Sequence, residues 1–274
     1  MKLLRIFPRK TNATPIDENV IINRMPNLFD EADQIHISVA FSWDIPIAEK
    51  LYKEWYFVAP IKIGGPAFNE PGDEFEPGMY LKQGYTITSR GCQNKCWFCS
   101  VWKREPELKE LQIKDGWNVL DDNLLQCSEN HIRKVFEMLK RQNHKPRFTG
   151  GLEANLLTEE RAKQLKELRP EALYFAYDTP NDLDSLINAG SILKNVGFGK
   201  SHDMMCYVLI GYPNDTIEKA KKRIAQTVYA GFMPFAMRYR DEKGLVLKER
   251  KWNLFQREWT NPIICAANCK KLKN

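Results

Sequence analysis

The sequence predicts an α/β fold in which a partial (β/α)6 barrel of the TIM type follows a small βαβ-like unit at the N-terminus. Six short apolar runs begin from residue 85 onward, and their starts lie 26 to 33 residues apart. Stretches with helical character separate them, and four of the runs end in polar or glycine-rich turns. Strands that alternate with helices at this period imply a parallel sheet, with chemistry at its carboxyl edge. A chain of 274 residues is long enough for such a barrel and a small appendage.

The first 80 residues are predicted to be a separate N-terminal part. Residues 1–31 mix prolines with charges and show no period, which predicts an irregular arm. A β-branched run over 35–41 predicts a strand, a proline-initiated stretch over 46–55 predicts a helix, and a second strand is expected over 59–63. This order is that of a βαβ-like unit, for which we favour a supporting role over ligand binding.

The barrel is predicted to occupy residues 81–242, and residues 243–274 are expected to form a segment that covers it. The six barrel strands are expected to start at Tyr85, Trp117, Arg147, Leu173, Cys206 and Pro234. The helices between them are expected at 128–141, 158–168, 183–195 and 215–230. In the last segment, Trp252, Phe255 and Trp259 have near-helical spacing, which predicts an apolar helix face.

A loop after the first barrel strand carries Cys92, Cys96 and Cys99 at the spacing C-x3-C-x2-C. Thiolates are soft ligands that suit iron–sulfur clusters or zinc. A closed zinc site requires a fourth ligand, and the sequence has neither a second C-x-x-C pair nor a histidine near this loop. Three ligands leave one coordination position open, which favours a 4Fe–4S cluster. A structural zinc site and three unrelated buried cysteines are the alternatives.

These cysteines, with Phe98 before the last of them, resemble the signature of the radical S-adenosylmethionine (radical SAM) superfamily. The resemblance implies that the open iron chelates S-adenosylmethionine and that one electron from the cluster produces a 5'-deoxyadenosyl radical. It also implies that Phe98 packs near the adenine. We therefore expect an oxygen-sensitive enzyme that receives electrons from a flavodoxin- or ferredoxin-like donor. The cofactor would carry out the chemistry, and the protein would orient it.

The turns after the later strands resemble further elements of that superfamily, closest to its cobalamin-type and methylthiotransferase-like branch. By this resemblance the second strand supplies the contact to the methionyl amino group, the fourth the contact to the ribose, and the fifth a backbone contact to the adenine. The residues concerned are Asp121, Asp122 and Asn123, then Tyr177 and Asp178, then Gly211 and Pro213. The N-terminal part is too short for a complete cobalamin domain and has no Asp-x-His-x-x-Gly, which argues against cobalamin.

Two residues at strand ends are candidates for catalysis on the substrate side. Glu153 follows the third strand and is expected to act as a base or substrate anchor, or else as a helix-capping acid. Tyr212 follows the fifth strand and is expected to relay a radical or stack on a substrate, or else to pack with its hydroxyl hydrogen-bonded. The sequence does not identify the substrate, so a small molecule and a nucleic acid both stay open.

Composition limits the remaining alternatives. The net charge of +6 is a modest excess rather than the basic stripe of a dedicated nucleic-acid binder. Seven cysteines without a signal peptide or long apolar run predict a cytoplasmic protein without disulfides or membrane contact. Cys265 and Cys269 are expected either to hold an auxiliary metal site or to be inert. Three rival functions are a nucleic-acid-modifying enzyme of the same chemistry, a cobalamin-assisted methyl transferase and a non-catalytic metal-binding module.

Overall fold

The structure is a computed structural model that describes residues 1–70, 72, 74–199, 202–241, 244–246 and 249–273. The chain divides into two compact units. The first unit is Met1–Tyr85 with Gly244 and Leu245, and the second is Thr86–Asp241 with the described residues from Val246 onward. The three-part division at 80/81 and 242/243 stays a prediction, and its second boundary lies outside the described residues.

The first unit is built on a four-stranded parallel sheet. Its strands are β1 (Leu3–Phe7), β2 (Val20–Ile22), β3 (Gln34–Ser38) and β4 (Ile61–Gly64), in the order β2-β1-β3-β4. The expectation that residues 1–31 form an irregular arm is therefore wrong, because this segment supplies a central strand. Four of the five residues of β1 are buried. Polar and apolar residues do not alternate along it, because a central strand of a parallel sheet is covered on both faces.

A buried arginine explains why β1 was hard to recognise from its sequence. Arg5 interrupts the apolar run, yet its guanidinium is buried. It donates hydrogen bonds to the carbonyl oxygens of Gly78 and Met79 at 2.7 and 2.8 Å and forms an ion pair with Asp17. Because its charge and donors are satisfied, this arginine is compatible with a central strand.

The predicted βαβ-like unit is confirmed within this sheet. Helix α1 (Ile45–Trp55) connects β3 to β4, and these two strands pair in parallel. Leu51 and Trp55 of the helix are buried in the same core as Ile35 and Ile37 of β3. The unit is therefore held by one apolar core.

The second unit contains the predicted parallel sheet of six strands. They are β5 (Tyr85–Thr86), β8 (Asn118–Val119), β9 (Arg147–Leu152), β10 (Ala172–Tyr177), β11 (Met204–Ile210) and β12 (Met233–Arg238), in the order β12-β11-β10-β9-β8-β5. The connecting helices are α3 (Glu129–Lys140), α4 (Glu159–Glu167), α5 (Leu183–Asn195) and α6 (Ile217–Tyr229). Each strand lies beside its neighbour in the chain, which is the topology of an open, partial (β/α)6 barrel.

The first predicted barrel strand is shorter than expected. It splits into β5 and β6 (Ser89–Arg90), and β6 pairs antiparallel with β7 (Lys109–Glu110). A four-residue helix, α2 (Val101–Arg104), lies between β6 and β7. The strand is interrupted where the Thr88 backbone N–H donates to the Asp121 side chain instead of to a neighbouring strand.

Successive residues of the barrel strands alternate between two faces, as the pleat requires. In β10, Leu173, Phe175 and Tyr177 are buried in the main core that the helices cover. Asp178, directly after the strand, has the opposite parity. This alternation decides which side chains at the carboxyl edge reach the site and which belong to the core.

A bulge lengthens β9 just before its end. Phe148 pairs with Leu173 of β10 but Leu152 pairs with Phe175, so β9 advances four residues where β10 advances two. Gly150 lies against the end of β8, where a Cβ atom would stand 2.2 Å from the Asp121 carbonyl oxygen. Gly151 has φ of 108°, a conformation that favours glycine.

Two helices follow the last strand, α7 (Arg250–Thr260) and α8 (Pro262–Lys273). Trp252, Phe255 and Trp259 are buried in the main core, and α7 packs against β12, as the near-helical spacing predicts. No helix in the described part of the chain has the length and apolar character needed to cross a membrane.

Candidate functional site

The loop that follows β6 carries the three cysteines at the carboxyl edge of the six-stranded sheet. All three thiols are free and partly exposed. Burial, together with the neighbouring Cys99, Cys92 and Asp178, raises the pKa of Cys96 to about 11. The three thiols therefore lie within electrostatic range of one another. Ionising the three thiols together requires a cation to compensate their charge, which a metal ion or cluster would supply.

Backbone and indole hydrogen bonds shape the cysteine loop. The Cys99 N–H and the Trp102 Nε1–H both donate to the Cys96 carbonyl oxygen, at 3.1 and 2.8 Å. The Val101 N–H points at Cys99 Sγ at 3.4 Å. Gly91 begins the loop with φ of 85°, and a Cβ atom there would stand 2.1 Å from the Glu107 carbonyl oxygen. An N–H directed at sulfur stabilises negative charge on that ligand.

The segment after β8 holds the start of this loop. Asp122 accepts a hydrogen bond from the Gly91 N–H at 2.9 Å and lies 3.9 Å from the Arg104 guanidinium. The side-chain oxygen of Gln126 accepts from the Gln93 N–H at 2.9 Å. The structure thus brings Asp122 to the cysteine loop, and its predicted contact with the methionyl amino group stays a prediction.

Glu153 is the centre of an amide cluster beside the loop. Its Oε2 accepts from the side-chain amides of Asn94, Asn123 and Gln126 at 2.9, 2.6 and 2.9 Å. The same amide nitrogen of Asn123 lies 3.6 Å from Cys92 Sγ. Asn94 and Gln126 could not be predicted from the sequence, because nothing in their spacing connects them to Glu153. The catalytic role of Glu153 stays a prediction, and its observed partners are amides.

Asn123 also leaves an acceptor open at the site. Its Oδ1 is buried and has no hydrogen-bond partner among the residues that the structure describes. A buried acceptor without a donor costs free energy unless a bound group satisfies it. An ammonium group of a ligand next to Cys92 would do so.

Asp121 contacts other residues than Asp122 and Asn123 do. Its carboxylate accepts from the Thr88 N–H at 2.6 Å, the Thr88 hydroxyl at 2.5 Å and the Ser89 hydroxyl at 2.8 Å, and the residue is 1% exposed. The predicted contact of Asp121 with a cofactor stays a prediction, and the observed partners of its carboxylate are Thr88 and Ser89.

Asp121 belongs instead to a buried polar cluster behind the sheet. In the described part of the chain, the group of three potential metal ligands whose atoms all lie within 4.8 Å of one another is Asp121, Cys127 and His131. The His131 ring also lies 3.3 Å from the Thr88 hydroxyl. Both Asp121 oxygens are already hydrogen-bonded, so this cluster joins β6, β8 and α3 as a hydrogen-bond network.

The two predicted residues at the end of β10 separate in the same way. The Tyr177 hydroxyl donates to Gln226 of α6 at 2.8 Å and the residue is 1% exposed. Its predicted cofactor contact stays a prediction. Asp178 lies in the field of Cys96. Burial and the neighbouring Asp182 raise the pKa of Asp178 to about 7. Its predicted contact with a ribose stays a prediction.

The raised pKa of Asp178 predicts a pH-dependent stability. Between pH of about 4 and about 7, the folded chain retains a proton on this carboxyl that the unfolded chain releases. The contribution of Asp178 to the free energy of unfolding therefore falls as the pH rises through this range. Asp178→Asn is expected to reduce the loss of unfolding free energy between pH 5 and 8 by about 1 to 2 kcal/mol. Urea unfolding at both pH values checks this, with the exposed Asp184→Asn as the control. Equal slopes in the wild type and Asp178→Asn would contradict it.

The turn after β11 is fixed by a buried ion pair. Asp215 accepts from the Gly211 N–H at 2.8 Å and from Arg223 of α6 at 2.7 Å. Arg223 also donates to the Leu209 carbonyl oxygen at 3.0 and 3.2 Å and to the Tyr212 hydroxyl at 3.0 Å. The sequence does carry a signal for Arg223, because this charged residue lies among the apolar residues of an amphipathic helix.

An aromatic cluster connects this turn to the cysteine loop. The Trp97 ring lies 5.4 Å from the ring of Phe98, 5.7 Å from that of Tyr212 and 5.5 Å from that of Tyr239. The turn thus brings Gly211 and Tyr212 to the loop, while Pro213 is exposed. The roles predicted for Phe98, Gly211, Tyr212 and Pro213 stay predictions.

The second cysteine pair lies at the other end of the sheet. Cys265 Sγ is 3.4 Å from the carbonyl oxygen of Pro234, near the start of β12, and 4.0 Å from Cys269 Sγ. The hydrogen bond to Cys269 and burial raise the pKa of Cys265. The cysteine loop and this pair are therefore separate.

Among known proteins, the chain has a distant structural likeness to an enzyme. No family model matches the chain, and no curated protein matches it. Among solved structures, coproporphyrinogen III oxidase (HemN) from Escherichia coli, described as a radical SAM enzyme, is 10% identical with a TM-score of 0.41. The match covers 72% of this chain and 51% of that one, so the chain spans about half the length of that structure. Similarity of this degree does not establish a family or a function.

Proposed function

We propose that the chain is a radical SAM enzyme that holds a 4Fe–4S cluster on Cys92, Cys96 and Cys99 and abstracts hydrogen from a substrate not yet identified. The observation that carries the proposal is the grouping of three thiols on one loop at the carboxyl edge of a parallel barrel sheet. This edge is where barrel enzymes place their chemistry. N–H donors directed at two of the sulfur atoms suit thiolate ligands.

The number of cysteines on the loop favours a cluster over a structural zinc ion. A closed zinc site has four protein ligands. The loop supplies three cysteines, and the sequence has neither a second C-x-x-C pair nor a histidine near it. Three ligands leave one coordination position open, which suits a cluster that binds a further ligand.

Residues around the loop fit a bound S-adenosylmethionine. The open acceptor of Asn123 suits an amino group, and Asp178, with a pKa of about 7, suits a hydroxyl partner. The aromatic cluster at Phe98 provides apolar surface next to the cysteines. When bound, the cluster and S-adenosylmethionine together supply a 5'-deoxyadenosyl radical, and the chain's residues orient the cofactor and limit access of water.

Anaerobic reconstitution tests the proposal. Protein loaded with iron and sulfide, then given dithionite and S-adenosylmethionine, is expected to release 5'-deoxyadenosine and methionine. Cell-extract metabolites and tRNA, supplied as separate pools with flavodoxin or ferredoxin as donor, are expected to identify the substrate class by stimulating this release. Fully loaded protein that releases neither product would contradict the proposal, as would bound zinc without iron or sulfide.

A further inference from the structure

The amide of Asn123 connects a cluster ligand to a carboxylate. One nitrogen, Nδ2, lies 3.6 Å from Cys92 Sγ and 2.6 Å from Glu153 Oε2. A side-chain amide has two hydrogens on this nitrogen, so it can donate to both acceptors at once. Asn123 is buried, which removes water as a competing partner.

Glu153 fixes the orientation of this amide. Turning the amide over would place its carbonyl oxygen against both a carboxylate and a sulfur, two acceptors, and neither contact would be a hydrogen bond. The carboxylate is itself held, because Asn94 and Gln126 donate to the same Oε2 at 2.9 Å each. Asn94 is within the cysteine loop, and Gln126 also accepts from the Gln93 N–H of that loop. The amide cluster around Glu153 is therefore bound to the cysteine loop at two points.

We infer that Glu153 is a positioning residue that holds the Asn123 amide in a hydrogen bond to Cys92 and thereby raises the reduction potential of the cluster. The inference rests on the proposed function. Reduction adds negative charge to a cluster and its thiolate ligands, so an N–H donor to sulfur stabilises the reduced state more than the oxidised state. Glu153 itself carries a negative charge, which has the opposite effect.

Two conservative variants separate these effects. Glu153→Asp keeps the charge but shortens the side chain by one methylene, so it is expected to release Asn123 and lower the midpoint potential. Glu153→Gln keeps the length and an acceptor oxygen but removes the charge, so it is expected not to lower the potential. If the charge alone matters, Glu153→Asp leaves the potential unchanged.

The experiment is an anaerobic redox titration of the reconstituted protein followed by electron paramagnetic resonance. Asn123→Leu is expected to lower the equilibrium constant for one-electron reduction about tenfold, equal to about 59 mV. Glu153→Asp is expected to move the potential in the same direction, and the double variant is expected to match Asn123→Leu alone. Glu171→Gln, at the opposite end of the same sheet, is the control and is expected to have no effect.

Failures of the two proposals are distinguishable. A wild-type protein that assembles no iron–sulfur cluster removes the proposed function and this inference together. A wild-type cluster with an unchanged potential in Asn123→Leu, or with additive shifts in the double variant, overturns the inference alone. If a variant loses its cluster, the iron contents of the reconstituted variants are compared. Glu153→Gln is then expected to retain more iron than Glu153→Asp, and the reverse order would contradict the inference.

Discussion

Cys96→Ala is expected to leave the chain without a bound cluster and to reduce S-adenosylmethionine cleavage by at least about 100-fold, since even the partners of metal ligands affect activity by 10- to 100-fold. Cys96 is in the middle of the loop, and its thiol lies in the field of Cys92 and Cys99. Two remaining thiolates cannot complete a three-ligand site. Iron and sulfide content, the visible absorption of the reconstituted protein and the yield of 5'-deoxyadenosine measure the effect.

Cys269→Ala is the matched control for that loss. Cys269 is also a partly exposed cysteine, but its sulfur lies 4.0 Å from that of Cys265 on α8, at the other end of the sheet. The variant is expected to keep the iron content and cleavage rate of the wild type. Full iron binding and unchanged cleavage in Cys96→Ala would contradict the assignment of the loop, whatever the result for Cys269.

Arg223→Met is expected to destabilise the protein by about 3 to 5 kcal/mol, because it leaves a buried carboxylate without its counterion. The side chains of Arg223 and Asp215 are 5% and 0% exposed, and their charged groups lie 2.7 Å apart. The substitution also removes the hydrogen bonds that Arg223 donates to the Leu209 carbonyl oxygen and the Tyr212 hydroxyl. The turn that carries Gly211 is therefore expected to loosen before the sheet unfolds, and urea unfolding gives the free energy.

Two further variants separate the buried charge from the side chain itself. Adding Asp215→Asn to Arg223→Met removes the stranded charge but keeps an acceptor for the Gly211 N–H, so part of the lost free energy is expected to return. Arg133→Met removes an exposed arginine that pairs with Glu137 at 2.8 Å, and is expected to cost less than about 1 kcal/mol. Equal costs for Arg223→Met and Arg133→Met would contradict the role given to the buried pair.

The barrel was predictable from the sequence because each of its strands has a local signal. Apolar runs at a βα period and capping residues such as Thr158 and Thr216 mark the elements, and both threonines accept a backbone N–H at the helix start. β1 has no such signal. Its burial depends on Arg5 finding partners at Asp17, Gly78 and Met79, which are distant in the chain.

The candidate site was predictable in position but not in detail. The cysteine spacing marks the loop, and turn residues mark the carboxyl edge. Strand parity separates Tyr177, which is buried in the core, from Asp178. It does not sort the residues after β8, because Asp121 and Asn123 have the same parity but different partners. The contacts of Glu153 could not be predicted, because hydrogen bonds among side chains from three separate loops depend on tertiary packing.

The bulge in β9 limits how this edge can tolerate changes in length. Its two additional residues are an even number, so Leu152 stays on the core face with Phe148 and Glu153 keeps the opposite parity. Deleting either Gly150 or Gly151 alone would exchange those faces, sending an acid into the core and a leucine to the loop. Deleting both would preserve the faces and the pairing of Leu152 with Phe175 but remove the bulge itself. Natural or engineered variants at this point are therefore expected to change in steps of two residues.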